Sequence, residues 1–153
     1  MKLGAGFLLV CPSTKKILLA LRNDPEPTWA NFGGTVERYE SPLQCAKREL
    51  LEEAGFVEGK DYNVESKLPA NISSYINFVY RCYIATTRYE VSPFLNYEHT
   101  EYGWYSLDEL PTHTHFGLQN ILKDEKVLKK IQNLFEKGSV EWEYSPSIQE
   151  MPI

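Results

Sequence analysis

Three glutamates in one short segment have the spacing that metal-binding carboxylates need. Glu49, Glu52 and Glu53 stand at positions i, i+3 and i+4. A helix turns by about 100° per residue, so these side chains fall within an arc of roughly 100°. Carboxylate oxygens are the ligands that hard divalent cations such as Mg²⁺ prefer. The spacing therefore predicts a metal site on one side of a helix.

The segment around these glutamates carries the signals of a helix that begins after Ser41 and ends at Gly55. Ser41 and Gln44 form a capping box, and Pro42 suits the first helical position. Gly55 suits a left-handed C-cap. An apolar stripe with 3–4–4 spacing consists of Leu43, Ala46, Leu50 and Ala54. We expect this stripe to face the core and the three glutamates to lie roughly opposite it.

Two glycines precede the helix and add to the predicted metal site. Gly33 and Gly34 have no Cβ, so a backbone carbonyl can approach the same ion. For any one of the glutamates alone, a solvated helix face is the better interpretation. The whole set in register favours the metal site.

The run from Gly34 to Phe56 is GTVERYESPLQCAKRELLEEAGF. It matches the pattern G-x5-E-x7-R-E-U-x-E-E-x-G-U, in which U is apolar, and it resembles the Nudix box. The chain is accordingly identified as a member of the Nudix (MutT-like) hydrolases. The resemblance implies a nucleotide pyrophosphatase that depends on Mg²⁺, with Mn²⁺ as an alternative. Its substrate would be a nucleoside diphosphate derivative, such as a nucleoside triphosphate or a nucleotide sugar.

The resemblance also implies roles for residues of this chain. Arg48 would orient a carboxylate of the motif, with Glu40 as its pairing candidate. The implied metal ligands are Gly33, Glu49, Glu52, Glu53 and Glu98. The implied catalytic residues are Arg48, Glu49, Glu52 and Glu98.

Glu98 enters through a second stretch, Tyr97 to Trp104, which resembles the segment that many Nudix enzymes place before a tryptophan-bearing strand. In those enzymes a glutamate of that segment often completes the metal site or acts as the base, and the resemblance implies the same here. Glu98 is the first choice and Glu101 the second, and a plain surface carboxylate is the alternative for either. For His113 and His115, helix capping or surface exposure is favoured over a zinc pair or a catalytic base.

The segment upstream of the box supplies candidates for substrate binding. Trp29 to Gly34 resembles the family's Trp-x-x-Pro-Gly-Gly, with Phe32 in place of proline. An aromatic side chain can stack on a nucleobase. The predicted substrate-binding residues are Trp29, Phe32, Gly34 and Tyr75.

Length and composition describe one domain over residues 1–153, with 42% hydrophobic and 24% charged residues. The net charge of -5 disfavours a nucleic-acid-binding face. No apolar run approaches the ~20 residues of a membrane span. Three cysteines, Cys11, Cys45 and Cys82, predict buried thiols in a reducing cytoplasm. The expected partner is a small nucleotide, and a homodimer is left open.

Along the chain we predict strands, the box helix, more strands and a late helix. Strands are expected at 3–10, 16–22, 62–68, 75–86 and 103–105, with an extended piece at 35–37. A helical turn is expected at 106–110, a long helix at 117–137 and an edge strand around Val140, Trp142 and Tyr144. This order predicts an α+β fold. The resemblance sharpens it to a mixed β-sheet packed between helices, an α/β/α sandwich.

Two other functions stay open at this point. One is a Nudix-fold sensor that binds a nucleotide without cutting it, which the intact box disfavours. The other is RNA 5′-cap removal, which the acidic balance disfavours. Triphosphates, nucleotide sugars, dinucleoside polyphosphates and ADP-ribose all remain candidate substrates.

Overall fold

A computed structural model describes residues 1–138, which form eight strands and three helices. The predicted edge strand around Val140, Trp142 and Tyr144 lies outside these residues. None of the three helices has both the length and the apolar character required of a membrane span. The elements are β1 (Lys2–Cys11), β2 (Lys16–Arg22), β3 (Trp29–Ala30), β4 (Phe32–Thr35), α1 (Pro42–Ala54), β5 (Asn63–Val64), β6 (Asn71–Tyr75), β7 (Phe78–Thr86), β8 (His99–Tyr105), α2 (Phe116–Lys123) and α3 (Glu125–Lys137).

Strand β1 organises a mixed sheet. It runs parallel to β7 along most of its length, and its other edge is divided between two antiparallel partners. Residues 4–7 pair with β4, and residues 9–11 pair with β2. Strand β8 pairs with β2, while β5 and β6 pair with β7. One parallel strand pair among antiparallel pairs makes the sheet mixed, as the resemblance implied.

The sheet has a hydrophobic core on each face, because successive strand residues point to opposite sides. Phe7 and Leu9 of β1 pack into the core that α1 covers. Leu8 and Val10 pack into the core that α2 and α3 cover. The predicted α/β/α sandwich is therefore confirmed.

Two long elements of the prediction are interrupted in the structure. The strand predicted at 75–86 contains a hairpin turn at Ile76 and Asn77, and Asn77 has a left-handed φ of 59°. Asparagine tolerates that conformation, so the chain reverses there and β6 pairs back onto β7. The helix predicted at 117–137 is divided at Asp124, whose side chain accepts a hydrogen bond from the Lys126 N–H and caps α3.

Other bounds differ because strand pairing, rather than local sequence, sets them. Of the predicted 62–68 strand only Asn63–Val64 forms a strand, with Tyr62 in an isolated bridge to Glu58. The predicted 103–105 strand begins earlier, at His99. Residues 106–110 form a turn, not a helix. In place of an extended piece at 35–37, strand β4 starts at Phe32, because Gly33 and Gly34 pair with β1.

Candidate active site

Helix α1 provides the platform of the site, and its predicted ends are confirmed. The Gln44 N–H donates to the Ser41 hydroxyl at 3.1 Å, and the Ser41 N–H donates to the Gln44 side chain at 2.8 Å. Gly55 has a left-handed φ of 72°. Cys45, Ala46, Leu50 and Ala54 bury one face of the helix against the sheet. The helix is therefore held firmly enough to present side chains in fixed positions.

Glu53 does not lie on the exposed face where the sequence analysis placed it. Its exposed fraction is 2%. It follows Ala46 by seven residues, about 20° short of two full helical turns, and so borders the apolar stripe. Its Oε1 accepts a hydrogen bond of 3.0 Å from the Gly33 N–H. The expectation of three glutamates opposite the stripe is thus wrong for Glu53.

Three carboxylates from two elements meet beside strand β4. Glu49 and Glu53 of α1 and Glu98 of the loop before β8 each offer an oxygen, and these oxygens all lie within 4.8 Å of one another. The Asn96 side-chain oxygen accepts a 3.0 Å hydrogen bond from the Glu98 N–H and shapes that loop. The group consists of hard oxygen donors with excess negative charge, which suits a divalent cation.

The electrostatics of the three carboxylates show the same excess of negative charge. Burial, followed by the charges of Glu49 and Glu98, raises the pKa of Glu53 to about 9. Burial also raises the pKa of Glu49 above its ordinary value, although hydrogen bonding to Arg48 opposes the rise. Without a cation, protonation is the way to relieve this repulsion.

Arg48 joins three of the motif's glutamates. Its guanidinium binds Glu40 through two hydrogen bonds, of 2.7 Å and 3.0 Å, as the pairing prediction expected. Its Nη1 donates to Glu49 and to Glu52, both at 2.9 Å. Hydrogen bonding to Arg48 is the main reason why the pKa of Glu40 is lowered. Arg48 thus fixes the position of the Glu49 Oε1.

Glu52 occupies a different position from the other two helix glutamates. Its side chain is 48% exposed and bound to Arg48. It is not a member of the group formed by Glu49, Glu53 and Glu98. The structure therefore brings together two of the three predicted helix ligands with Glu98, and places the third at the rim.

The two glycines of β4 are needed because other groups occupy the space of a side chain. A Cβ on Gly34 would lie 2.6 Å from the Glu49 Oε1. A Cβ on Gly33 would lie 2.7 Å from the Ala5 carbonyl oxygen and would also meet the Tyr80 hydroxyl. Close packing of β4 against both α1 and the sheet thus explains both glycines.

An acidic cavity of about 200 Å³ contains part of the carboxylate group, with Gly33, Glu53 and Glu98 in its wall. Arg22, Asp24 and His99 also line it, and the sequence analysis missed all three. Arg22 forms a 2.7 Å ion pair with Asp24. His99 is 8% exposed, and its Nδ1 has no hydrogen-bond partner among residues 1–138. The sequence indicates these residues only through their positions: His99 directly follows Glu98, and Arg22 stands at the end of an apolar strand.

A second cavity, of about 180 Å³, adjoins the first and shares Arg22, Asn31 and Gly33 with it. We call it the aromatic cavity, because five ring side chains line it: Tyr75, Phe78, Tyr80, His115 and Phe116. Of the predicted substrate-binding residues, Tyr75 and Gly34 line this cavity.

Trp29 and Phe32 are not positioned to stack on a base. Phe32 is 1% exposed and packs edge-on against His99, within the core under α1. Trp29 packs edge-on against Tyr105 and lines a separate groove beside Pro25. Phe32 lies in the core under α1, on the opposite face of the sheet from Tyr80, and neither ring lines the aromatic cavity. Their predicted role in stacking is therefore not supported.

The remaining candidates lie outside the acidic cavity. Glu101 is exposed on β8 and lines a groove with Phe94 and Leu95. The His115 Nδ1 accepts a 3.0 Å hydrogen bond from the Gly117 N–H and caps α2, and His113 is exposed, as predicted. The three cysteines are buried free thiols, so the predicted burial is confirmed.

Known proteins share this domain and this fold. The model of the NUDIX domain matches residues 2–124. An Ap4A hydrolase from C. elegans, solved as a binary complex, superposes with a TM-score of 0.69 at 18% identity, covering 88% of this chain and 98% of that one. A MutT NUDIX hydrolase from Burkholderia pseudomallei superposes with a TM-score of 0.66 at 25% identity, covering 81% and 97%.

A third solved structure, an ADP-ribose pyrophosphatase from Streptococcus suis, superposes with a TM-score of 0.59 at 23% identity, covering 94% of this chain and 96% of that one. Comparison with curated proteins gives no match. The match to the domain model extends over most of the chain and includes the box, the loop of Glu98 and strand β8. The chain belongs to the Nudix family of hydrolases.

Proposed function

We propose that the chain is a Mg²⁺-dependent diphosphohydrolase, with Mn²⁺ as an alternative, that acts on a nucleoside diphosphate derivative. The group formed by Glu49, Glu53 and Glu98 is the observation that carries the proposal. The names of two structural neighbours, an Ap4A hydrolase and an ADP-ribose pyrophosphatase, support it. Both of those substrates carry a nucleoside on a chain of linked phosphates.

The proposed metal ligands are Glu49, Glu53 and Glu98, with the Gly33 carbonyl and Glu52 completing the set. A divalent cation held there would neutralise charge on phosphoryl oxygens and lower the pKa of a water molecule. Cation binding would also offset the repulsion that raises the pKa of Glu53. Because Glu52 is half-exposed and bound to Arg48, we expect it to contribute least to metal binding.

Arg48 and Glu98 have further roles in the proposed mechanism: Arg48 positions a metal ligand, and Glu98 accepts a proton. Arg48 holds Glu49 in place through its 2.9 Å hydrogen bond. Glu98 comes from the loop that is hydrogen-bonded to the end of α1 and brings a carboxylate oxygen beside Glu49 and Glu53, and we assign to it the proton of the attacking water. The water oxygen bonds to one phosphorus, the bridging P–O bond breaks, and two phosphate-bearing products leave.

The setting we propose is a single domain in the cytoplasm that acts on a small molecule. All the proposed metal ligands come from one chain, so the proposed metal site needs no residue of a second copy. A homodimer therefore stays a prediction on which the chemistry does not depend. The oligomeric state can be measured by light scattering in solution.

A substrate screen tests the proposal. The protein is incubated with nucleoside triphosphates, nucleotide sugars, dinucleoside polyphosphates and ADP-ribose, with Mg²⁺ or Mn²⁺. We expect release of a nucleoside monophosphate or an equivalent product, loss of that release in EDTA, and strongly reduced release by Glu53→Gln. Tight nucleotide binding without turnover across the panel would instead support a sensor. Turnover confined to capped RNA would support cap removal.

A further inference from the structure

Glu98 stands in a tight turn that two asparagines hold from different sides. The turn runs from Asn96 to His99, and the His99 N–H donates to the Asn96 carbonyl at 3.4 Å. The Asn96 side-chain oxygen accepts the Glu98 N–H at 3.0 Å, and its Nδ2 donates to the Glu98 Oε2 at 3.5 Å. A side chain that bonds to the backbone two residues on is a common way for asparagine to stabilise a turn. Asn96 therefore shapes the turn from within.

The second asparagine, Asn23, belongs to a different part of the chain, just after strand β2. Its backbone N–H donates to the Glu98 carbonyl at 2.9 Å. Its side-chain Nδ2 donates to the Tyr97 carbonyl at 3.0 Å. The two bonds engage both central residues of the turn, so Asn23 holds the turn from outside. We call this pair of hydrogen bonds the Asn23 clamp.

A shift in strand register directly after Glu98 makes the clamp possible. Strands β2 and β8 pair in one register up to Leu21, and the register then shifts by one residue so that Arg22 pairs with His99. The shift places Glu98 opposite Asn23, whereas an unshifted ladder would place His99 there. Irregularities of this kind redirect neighbouring side chains and are frequent next to active sites.

The segment that carries Asn23 is itself held in place. The Arg22 N–H donates to the Thr28 carbonyl at 2.9 Å and closes the loop over residues 23–27, which contains two prolines of fixed φ. Arg22 also forms the 2.7 Å ion pair with Asp24. A residue on a closed, proline-restricted loop can keep the turn that it holds in a defined place.

The start of the Glu98 loop is tied to helix α1 instead. The Phe94 N–H donates to the Ala54 carbonyl at 2.8 Å, and the Asn96 N–H donates to the Glu53 carbonyl at 3.4 Å. The loop is therefore anchored at its start by α1 and at its end by Asn23 and strand β2. Glu98 lies at the end that Asn23 holds.

We propose that Asn23 is a positioning residue, which holds Glu98 in the carboxylate group through the Asn23 clamp. The inference rests on the proposed function for the role of Glu98 as a metal ligand. Loss of the Asn23 side chain leaves the Tyr97 carbonyl to water and frees the turn, so a cation must pay to order Glu98 again. One net hydrogen bond corresponds to roughly 2- to 10-fold in a binding constant. The alternative is an ordinary surface bond that joins two loops without affecting the site.

Binding of Mn²⁺ to the metal-free protein, measured by calorimetry, tests the inference without requiring turnover. Asn23→Ala removes the side-chain donor, and Asn23→Leu removes it while keeping most of the volume. We expect each variant to bind Mn²⁺ at least about threefold more weakly than the wild type.

Ser13→Ala is the matched control. It removes another exposed side-chain bond between two loops, which the Ser13 hydroxyl donates to the Arg88 carbonyl at 3.3 Å. Neither of these residues lines the acidic or the aromatic cavity. Ser13→Ala should therefore bind Mn²⁺ as the wild type does. Because Asn23 and Ser13 are both exposed, their alanine variants should have similar melting temperatures in EDTA.

The same substitution in a Glu98→Gln background shows whether Asn23 acts through Glu98. We expect Glu98→Gln to weaken Mn²⁺ binding and Asn23→Ala to add less than about 1.5-fold to that loss. An equal loss in both backgrounds would overturn the inference, since Asn23 would then act by another route. A lower melting temperature of Asn23→Ala with unchanged Mn²⁺ affinity would also overturn it and leave Asn23 as a purely structural contact.

The remaining outcomes separate this inference from the proposed function. Unchanged Mn²⁺ affinity in both Asn23 variants, with weakened affinity in Glu98→Gln, would overturn the inference and leave the metal site standing. Unchanged affinity in Glu98→Gln would remove Glu98 from the proposed metal site, and the inference with it. No turnover in the substrate screen, together with Mn²⁺ binding that depends on Asn23 through Glu98, would reject the hydrolase and leave the clamp standing.

Discussion

The backbone N–H of Gly33 donates a 3.0 Å hydrogen bond to the Oε1 of Glu53 and thereby ties strand β4 to helix α1. This bond favours the ionised form of Glu53, but burial and the charges of Glu49 and Glu98 outweigh it. The site therefore holds a buried carboxyl whose position is fixed while its charge is not compensated. A glutamine in the same place would keep the hydrogen bond and remove the charge.

The first prediction is that Glu53→Gln removes activity without harming the fold. We expect kcat/KM to fall by about 10²-fold or more, because a lost carboxylate weakens both cation binding and charge neutralisation. Glu52→Gln should lose less, since Glu52 lies at the rim on Arg48. Steady-state kinetics at limiting Mg²⁺ measure both variants. Near-wild-type rates for Glu53→Gln would remove Glu53 from the metal site.

The second prediction concerns stability against pH in the absence of metal. The pKa of Glu53 is raised from 4.5 to about 9, so between these pH values the folded state binds more protons than the unfolded state. The free energy of unfolding must then fall as the pH rises through this range, relative to a variant without the group. Glu53→Gln should therefore be the more stable protein at pH 8, by up to about 5 kcal/mol at ~1.4 kcal/mol per pH unit.

Urea unfolding in EDTA at pH 5 and pH 8 measures this difference. The gap between Glu53→Gln and the wild type should widen with pH, and Mg²⁺ should narrow it by stabilising the wild type alone. A variant that is less stable than the wild type at pH 8 would show that Glu53 is ionised and satisfied in the metal-free protein.

The third prediction is that Arg48 acts through its planar fork and not through charge alone. Arg48→Lys keeps the charge but cannot bind Glu40 bidentately while also reaching Glu49. We expect a loss of about 1–2 kcal/mol in the free energy of unfolding and about tenfold in kcat. Lys47→Ala, which breaks a surface pair with Glu58, is the control and should cost less than about 1 kcal/mol.

A double-mutant cycle sharpens this test. If the fork is the interaction lost, Arg48→Lys and Glu40→Gln should be strongly non-additive in both stability and kcat. Additive effects would mean that Arg48 and Glu40 support the site independently of each other.

The fourth prediction separates Glu98 from Glu101. Glu98 contributes an oxygen to the carboxylate group, whereas Glu101 faces a groove beside Phe94. At saturating metal, Glu98→Gln should lower kcat by about 10²-fold or more, and Glu101→Gln by less than about twofold. Both carboxylates are exposed, so neither change should lower the melting temperature in EDTA. A larger loss at Glu101 would reverse the assignment.

The parts of the site that local sequence determines were predictable. The capping box, the C-cap at Gly55 and the spacing of Arg48, Glu49 and Glu52 all depend on contacts within a few residues. The pairing of Arg48 with Glu40, which lies just before the helix, could also be predicted from the motif. These contacts follow from helix geometry, which the order of residue types encodes directly.

The predictions from sequence were wrong where the tertiary context overrides a local pattern. The residues from Tyr75 to Thr86 are all compatible with a strand, and only the pairing of β6 with β7 shows that the chain reverses at Asn77. The apolar spacing after Gly117 continues past Asp124, where capping of α3 breaks the helix. The sequence suggested that Trp29 and Phe32 stack on a base. In the structure Phe32 is buried in the core under α1, and Trp29 packs against the core under α2 and α3.

By itself, the sequence determined the family, the box helix and its carboxylates, because these are encoded in one contiguous run of residues. Only the tertiary structure decided that Glu53 is buried, that Glu98 joins it, and that five rings from β6, β7 and α2 enclose one cavity. These arrangements depend on pairings between residues far apart in the chain. No spacing along the sequence encodes such pairings, because they are set by how the sheet and helices pack around β1.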